Sequence, residues 1–349
     1  MIPIMTPKFD YCNRQLPVTA SVFLTHYCNL RCSFCCYRPL QETESRDLNT
    51  DQWMKIIDEL AELKIFQIKI LAGEPLIRHD FKTLLQHIVR CGMRFTLNTN
   101  GTLLTEDIAS FIAGTKRADE VQVSLDGLEK QHDEIRGKGN WRKAVNAVKL
   151  LEELGVPVKI NMVLTTSNYH SCNEAGRFFL EELGVKSLRI SSVSDQFSEL
   201  EPAHGKLSDR QYVQAMLQIL ELKKQYPNLT SSFLDRHRQI NHPCNEAGCR
   251  RCSTPYKSIT ILADGAVAAC PNAPGYILGW CGRDNLREIW QTSQVLADFR
   301  KQIDAGMALD GECQECEYIW YCRQCCPPAH DRGRGRCLKH LKQLLKDYL

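Results

Sequence analysis

The sequence predicts an α/β fold: a partial barrel of six strand–helix units, then a small cysteine-rich domain with a β-hairpin and helices. Three observations predict it. Between residues 18 and about 192, short apolar runs alternate with stretches whose apolar residues recur at helical spacing. Six alternations in a row imply parallel strands joined by right-handed crossovers. After residue 240, cysteines punctuated by glycine and proline replace this pattern. An open, doubly wound sheet is the alternative to a closed or partly closed barrel.

The predicted strands are short apolar runs at residues 18–26, 66–72, 94–100, 120–126, 156–165 and 187–192. The predicted helices lie between and after them, at residues 50–64, 80–91, 106–113, 141–154, 174–183 and 208–225. In the first of these helices, Trp53, Ile57 and Leu60 recur at helical spacing behind Thr50, which we interpret as the helix cap.

In the cysteine-rich part, residues 258–270 predict a β-hairpin that turns at Asp264–Gly265. Two further helices are predicted, at residues 285–303 and 338–348. We therefore divide the chain into three predicted regions: an N-terminal extension at 1–19, a barrel domain at 20–235 and a cysteine-rich domain at 236–349.

The composition is that of an ordinary globular protein, with 43% hydrophobic and 24% charged residues in 349. The N-terminus has no basic region followed by an apolar stretch, so no signal peptide is predicted. No run approaches the roughly 18 apolar residues that a membrane span needs. A formal net charge of +3 is too small to indicate nucleic-acid or membrane binding. We expect a cytoplasmic protein with neither as a partner.

The 18 cysteines are unusual for such a protein. Four lie between Cys28 and Cys36, and eleven between Cys244 and Cys337. A chain of this length can bury a core without disulfides, and clustered thiols in a reducing compartment are typically metal ligands. The clustering therefore favours ligand sets.

The first set, Cys28-x3-Cys32-x2-Cys35, directly follows the first predicted strand, at the end of a barrel where active sites lie. Three thiolates suit a four-iron cluster with one iron left open, whereas structural zinc sites use overlapping spacings. The spacing alone leaves both readings open. Cys36 points away from Cys35 in an extended chain, so we expect it not to be a ligand.

The ends of the following strands resemble the radical S-adenosylmethionine (radical SAM) superfamily, and the resemblance covers residues 20 to about 192. The cysteine loop matches, with Phe34 just before its third cysteine. The other matching segments follow in order: Ala72-Gly73-Glu74-Pro75, Asn98-Thr99-Asn100-Gly101, Ser124-Leu125-Asp126-Gly127 and His132-Asp133-Glu134-Ile135-Arg136-Gly137. The first of them has alanine where the family motif has a glycine.

This resemblance implies that Cys28, Cys32 and Cys35 hold a [4Fe-4S] cluster. It implies that Glu74 accepts a charge-assisted hydrogen bond from the methionine ammonium of S-adenosylmethionine. Ser124 would contact the ribose, and the guanidinium fork of Arg136 would pair with the methionine carboxylate. Three further motif residues are expected to bind the same cofactor: Gly73, Asn98 and Asp126.

The second cysteine set resembles the SPASM domain, an appendage of many radical SAM enzymes that binds two auxiliary [4Fe-4S] clusters. Its seven matching cysteines are Cys252, Cys270, Cys313, Cys316, Cys322, Cys326 and Cys337. The ligand interleaving of that family implies one cluster on Cys313, Cys316, Cys322 and Cys337. The other would use Cys252, Cys270 and Cys326 with an upstream cysteine. Cys249, which forms a CxxC pair with Cys252, is the preferred fourth ligand, and Cys244 is the competitor.

The resemblance implies a TIM-like (β/α)6 barrel and an oxidoreductase-type enzyme with three [4Fe-4S] clusters. Such an enzyme would cleave S-adenosylmethionine reductively, and the resulting 5′-deoxyadenosyl radical would abstract a hydrogen atom from the substrate. A reducing partner such as flavodoxin or ferredoxin would supply the electron. The family implies that the substrate is a ribosomally made peptide or protein, to be crosslinked, oxidised or epimerised.

Two alternatives stay open at this point. One is dehydrogenation or epimerisation of a small-molecule natural product or sugar. The other is a non-catalytic iron–sulfur electron carrier, against which Glu74, Ser124 and Arg136 argue, since a carrier has no use for them. Sulfatase-maturing members of the family would be expected to have a carboxylate directly after the hairpin cysteine. Here Pro271 and Asn272 follow Cys270, which argues against sulfatase maturation.

Overall fold

A computed structural model describes residues 16–41, 47–193, 205–243, 252–306, 311–322 and 336–348. Its centre is a ten-stranded sheet with the strand order β10-β9-β8-β1-β2-β3-β4-β5-β6-β7. Seven strands pair in parallel in chain order: β1 (Thr19–Val22), β2 (Gln67–Ile70), β3 (Arg94–Thr99), β4 (Ala118–Ser124), β5 (Val158–Leu164), β6 (Ser187–Ser192) and β7 (Thr230–Ser231). The remaining three are β8 (Ser258–Ile261), β9 (Ala266–Cys270) and β10 (Ala273–Trp280).

The helices before the cysteine-rich part are α1 (Arg38–Gln41), α2 (Thr50–Glu62), α3 (Phe81–Arg90), α4 (Glu106–Thr115), α5 (Glu129–Arg136), α6 (Asn140–Glu153), α7 (Cys172–Arg177), α8 (Asp209–Gln225) and α9 (Ser232–Asn241). The helices of the cysteine-rich part are α10 (Thr254–Lys257), α11 (Leu286–Thr292), α12 (Gln294–Ala305), α13 (Ile319–Cys322) and α14 (Leu338–Lys346). Short 3-10 turns occupy Pro75–Ile77, Tyr169–Ser171 and Gly311–Cys313, and a π-helix occupies Phe178–Glu182.

The parallel strands follow one another across the sheet in chain order, from β1 to β7. A doubly wound sheet would reverse direction at a switch point, which this order does not do. In the described residues, β7 and β10 are the two edges, so the sheet is a partial barrel and not a closed one. The six predicted strands are confirmed, most of them a few residues shorter at one or both ends.

Three predicted helices differ in detail. The cap of α2 is Asn49, whose side chain accepts a hydrogen bond from the Gln52 N–H, so the assignment of Thr50 as cap was wrong. The single helix predicted at 285–303 is two helices, because Ser293 leaves the helical conformation and its hydroxyl caps α12. The helix predicted at 174–183 is α7 continued by a π-helix.

The hairpin β8–β9 is part of the barrel sheet, although it lies beyond the predicted domain boundary. Strand β8 pairs in parallel with β1, Thr19 opposite Ser258 and Val22 opposite Ile261. Strand β9 returns antiparallel to β8. Its last residue, Cys270, is therefore level with the beginning of β8 and so with the beginning of β1. The domain boundaries themselves stay predictions.

The two faces of the barrel strands differ in burial. On β2 to β5 the outward residues, among them Ile68, Phe95 and Ile160, are fully buried under the helices. The inward residues are polar and half-buried, among them Lys69 and Gln122. A half-buried inner face of a barrel is one that solvent reaches, so the interior can admit a polar ligand. Among the described residues, no helix is long and apolar enough to cross a membrane.

Candidate active site

The matched motifs meet at the carboxyl ends of strands β1 to β4. The cysteine loop follows β1, Glu74 follows β2, Asn100 follows β3, and Asp126 follows β4. Arg136 comes from the last turn of α5 and reaches back to the same place. The parallel sheet assembles these segments because the carboxyl ends of parallel strands share one edge.

The three motif cysteines are close to one another. Burial raises the pKa of Cys32 to about 11, against the lowering effect of Arg136 and with smaller increases from Asp126 and the two neighbouring thiols, and burial also raises the pKa of Cys28. Their sulfurs are nevertheless not all within 4.8 Å of one another, as a single metal ion would require, in the part of the chain that the structure describes. Three thiols are a donor set that suits a [4Fe-4S] cluster with one iron left open. With such high pKa values, ligation must displace the thiol protons.

The backbone after β2 has no room for a side chain. Gly73 has φ +54, and a Cβ atom there would lie 2.4 Å from the carbonyl oxygen of Thr25 and 2.6 Å from that of Tyr27. Only glycine can occupy this position beside the cysteine loop. Ala72 is also left-handed, at φ +57. The alanine therefore stands in a conformation that suits the glycine of the family motif, and it carries modest strain.

Glu74 is fully buried and joins the ends of β2 and β3. Its Oε1 accepts from the Thr99 hydroxyl at 2.8 Å and the Leu76 N–H at 3.2 Å, and its Oε2 accepts from the Asn100 N–H at 2.7 Å. Burial raises its pKa to about 7, against the effect of these hydrogen bonds. A carboxylate has about four acceptor sites, so three donors leave one, on Oε2, for a ligand.

Arg136 forms a buried ion pair with Asp126, whose side chain is completely inaccessible. The other Asp126 oxygen, Oδ1, accepts from the Val163 N–H at 2.8 Å, which ties β4 to β5. A terminal nitrogen of Arg136 lies 3.7 Å from the Cys32 sulfur, and its guanidinium stacks 5.5 Å from the centre of the Phe34 ring. Asp126 thus positions Arg136 beside the cysteine loop.

The other two predicted cofactor residues lie on the strands themselves. Ser124 is the last residue of β4, and Asn98 is the next-to-last of β3, directly opposite Gln122. Both are half-buried on the inner face, at the end of the barrel that carries the cysteine loop.

Sequence reasoning missed several residues that support this site. Arg78 forms a bidentate, buried ion pair with Asp80, and its Nη1 donates to the carbonyls of Leu24 and Leu48, each at 3.0 Å. This anchors the chain just before the cysteine loop. Asn100, in the motif segment that follows β3, is a second such residue. Its Nδ2 donates to Asn29 Oδ1 at 2.9 Å, inside the cysteine loop, and lies 3.8 Å from the Cys28 sulfur.

The auxiliary cysteines are described only in part. Cys249 and Cys326 lie outside the described residues, as does Cys244. Cys252 precedes α10, and Cys270 ends β9 with 9% exposure. Cys313, Cys316 and Cys322 share one short segment at 311–322, and Cys337 is the N-cap of α14. The assignment of these cysteines to clusters stays a prediction.

Comparisons with known proteins agree with this arrangement. The radical SAM superfamily matches residues 22–178, and the SPASM iron–sulfur cluster-binding domain matches residues 231–326. The mycofactocin maturase MftC of Mycolicibacterium smegmatis is 30% identical over 341 residues, which cover 94% of this chain and 82% of that protein. The PqqA peptide cyclase of Bradyrhizobium diazoefficiens is 32% identical over 180 residues, 51% of this chain and 47% of that protein.

Solved structures share the fold at lower identity. Streptococcus suis SuiB bound to its precursor peptide SuiA is 18% identical, with a TM-score of 0.74 over 91% of this chain and 73% of that chain. The extent of the match to MftC decides the family. This chain belongs to the radical SAM superfamily, whose cofactors are S-adenosylmethionine and [4Fe-4S] clusters, and it carries a SPASM domain for the auxiliary clusters.

Proposed function

We propose that this protein is a peptide-modifying radical SAM enzyme, which crosslinks, oxidises or epimerises a ribosomally made peptide. The observation that carries the proposal is the kind of protein it is similar to. Its relatives include a peptide cyclase and a maturase, and a structure of the same fold holds a precursor peptide. The small-molecule alternative has weaker support: the AdoMet-dependent heme synthase of Methanosarcina barkeri is 26% identical over 326 residues, which cover 86% of this chain and 89% of that protein.

The residues at the carboxyl ends of the strands fit S-adenosylmethionine. The tight backbone at Gly73 and the free acceptor site of Glu74 suit the ammonium, and Arg136 supplies a cation held in place by Asp126. Ser124 and Asn98 line the inner wall where the ribose would lie. When bound beside the cluster of Cys28, Cys32 and Cys35, the cofactor supplies the radical that removes a substrate hydrogen atom.

The substrate would enter the polar interior of the barrel. That interior lies between the cysteine loop at one end of β1 and Cys270, which is level with the other end. Burial and the nearby Lys257 lower the pKa of Lys69, which is part of this inner wall. A peptide here would lie between the first cluster and an auxiliary cluster, so either could exchange an electron with it.

The auxiliary clusters follow the ligand sets implied by the SPASM resemblance. One would be held by Cys313, Cys316, Cys322 and Cys337, and the other by Cys252, Cys270 and Cys326 with Cys249. A flavodoxin or ferredoxin would reduce the first cluster, and the cytoplasm would be the site of action. These assignments rest on the sequence patterns.

The direct test uses the anaerobically reconstituted enzyme, S-adenosylmethionine, a chemical reductant and the peptides encoded by short reading frames beside the gene. We expect one such peptide to stimulate deoxyadenosine formation and to change in the same reaction. Crosslinking or oxidation removes two hydrogen atoms from the peptide mass. Epimerisation in D2O exchanges one hydrogen atom of the peptide for deuterium and changes nothing else in its composition.

If no peptide changes while a sugar or other small metabolite does, the small-molecule alternative replaces this proposal. If S-adenosylmethionine is not cleaved under any condition although all clusters are present, the electron-carrier alternative replaces it. Mass spectrometry of the peptide and quantification of deoxyadenosine distinguish these outcomes.

Replacing Glu74 with Gln is expected to weaken S-adenosylmethionine binding at least about tenfold, because a hydrogen bond to a charged group contributes about 1.5–3 kcal/mol. The neutral amide also cannot accept on both sides from Thr99 and Asn100. Calorimetric titration of the reconstituted enzyme at pH 8, above the pKa of about 7, measures the effect. Glu62→Gln, on the exposed end of α2, is the matched control. Equal affinity in both variants would rule out the role given to Glu74.

A further inference from the structure

A second group of possible metal ligands lies on the outer surface of the barrel, on helices and not at the strand ends that lead into the first cysteine loop. Helices α2 and α3 pack side by side there. Asp58 projects from α2, and His87 and Cys91 come from the end of α3. Because His87 and Cys91 are four residues apart on a helical turn, they lie on the same face.

The three side chains are close enough to share one ion. His87 Nε2 lies 2.7 Å from Asp58 Oδ1, and the Cys91 sulfur lies 3.6 Å from the same oxygen. All three ligand atoms are within 4.8 Å of one another. With bonds of about 2.0–2.3 Å to oxygen, nitrogen and sulfur, a tetrahedral zinc ion needs its ligand atoms roughly 3.3–3.8 Å apart. Small side-chain rotations would open the closest pair to that distance.

The surroundings also favour a cation. Cys91 is the C-cap of α3, and the C-terminal end of a ten-residue helix carries partial negative charge. The Asp58 side chain is 56% exposed and that of His87 is 19% exposed, so water reaches the group from one side. A fourth position is therefore open to a water molecule, and an ion can enter from solvent.

We propose that Asp58, His87 and Cys91 bind a zinc ion, with a water molecule completing a tetrahedron. One oxygen, one imidazole nitrogen and one thiolate form a mixed ligand set of the kind that Zn²⁺ accepts, whereas Mg²⁺ and Ca²⁺ prefer oxygen alone. The ion would link α2 to α3 and would be independent of the iron–sulfur clusters.

Binding requires the loss of the thiol proton. Burial and the hydrogen bond to Asp58 raise the pKa of Cys91, so the metal must displace a proton that is held more firmly than usual. The Cys91–zinc bond forms as the S–H bond breaks, and the proton is released to solvent. Zinc affinity should therefore increase with pH, without any oxidant or reductant.

The test uses the reconstituted holoenzyme, from which unbound iron has been removed, equilibrated anaerobically with zinc chloride and then desalted. Zinc and iron are counted by mass spectrometry. We expect about one zinc per chain, as for a single site, with no loss of iron. Cys91→Ser and His87→Ala should each lose most of this zinc and keep both the iron content and the rate of deoxyadenosine formation.

Asp107→Asn is the matched control, because Asp107 forms an exposed ion pair with Lys82 on the same side of the barrel but has no thiol or imidazole beside it. It should bind zinc like the wild-type chain. Equal zinc in the wild type and both ligand variants would overturn the proposal, as would no zinc in the wild type at pH 8. In either case the group is only a surface ion pair beside a thiol.

Discussion

Replacing Cys32 with Ala is expected to abolish deoxyadenosine formation and to lower the iron content from about twelve to about eight atoms per chain, the loss of one four-iron cluster of three. Cys32 is 7% exposed and lies between Cys28 and Cys35 in the loop after β1. Two thiolates cannot hold the cluster as three do, and Arg136 would lose its neighbouring sulfur. Iron and sulfide assays, with chromatography of the products, measure both effects.

Cys36→Ala is the matched control, because it removes a thiol from the same loop. Cys36 follows Cys35 directly and is not one of the three cysteines of the motif. We expect it to keep twelve irons and measurable cleavage. Retained deoxyadenosine formation in the Cys32 variant would contradict the assignment of the first cluster. An iron content of about four atoms per chain in the wild type would contradict the assignment of the SPASM clusters.

Replacing Asp126 with Ala is expected to lower the free energy of unfolding by about 3–5 kcal/mol, since it leaves the charge of Arg136 buried without a partner. The Arg136 side chain is 9% exposed and that of Asp126 is inaccessible. The substitution also leaves the Val163 N–H without its acceptor and loosens β5 from the end of β4. Anaerobic urea denaturation followed by circular dichroism measures the change.

Glu129→Ala is the control for this experiment. Glu129 pairs with Arg142, but these side chains are 45% and 77% exposed, so the pair contributes at most about 1 kcal/mol. Double replacement of Asp126 and Arg136 by apolar residues should recover part of the lost stability and still fail to bind S-adenosylmethionine. An Asp126→Ala protein as stable as the Glu129→Ala protein would show that the buried charge is compensated elsewhere.

The hairpin that joins the barrel sheet affects how the enzyme can work. Because β8 pairs along the whole of β1, the strand that leads into the first cysteine loop is held directly by the domain that carries Cys270. Main-chain hydrogen bonds between neighbouring strands set their spacing. The strand before the first cysteine loop and the strand that ends at Cys270 therefore belong to one sheet, and the polar interior lies beside it.

Much of this protein was determined by the sequence alone. Alternating helical and strand periodicity located β1 to β6, since a local pattern of buried residues reflects local geometry, but it missed the two-residue strand β7. Cysteine spacing, with Glu74 and Ser124 near strand ends and Arg136 in the following helix, carries the family resemblance that predicted the site. Short-range patterns of this kind are visible without knowing which segments meet.

Only the tertiary structure decided which distant residues pair. It placed Asp126 under Arg136, Asn100 against the cysteine loop, and β8 beside β1, and it brought Asp58 to His87 and Cys91. The buried charge of Arg136 and the backbone groups of β1 must find partners, and in all four cases chain topology determines which partners are near. Sequence spacing carries no information about contacts made across the sheet.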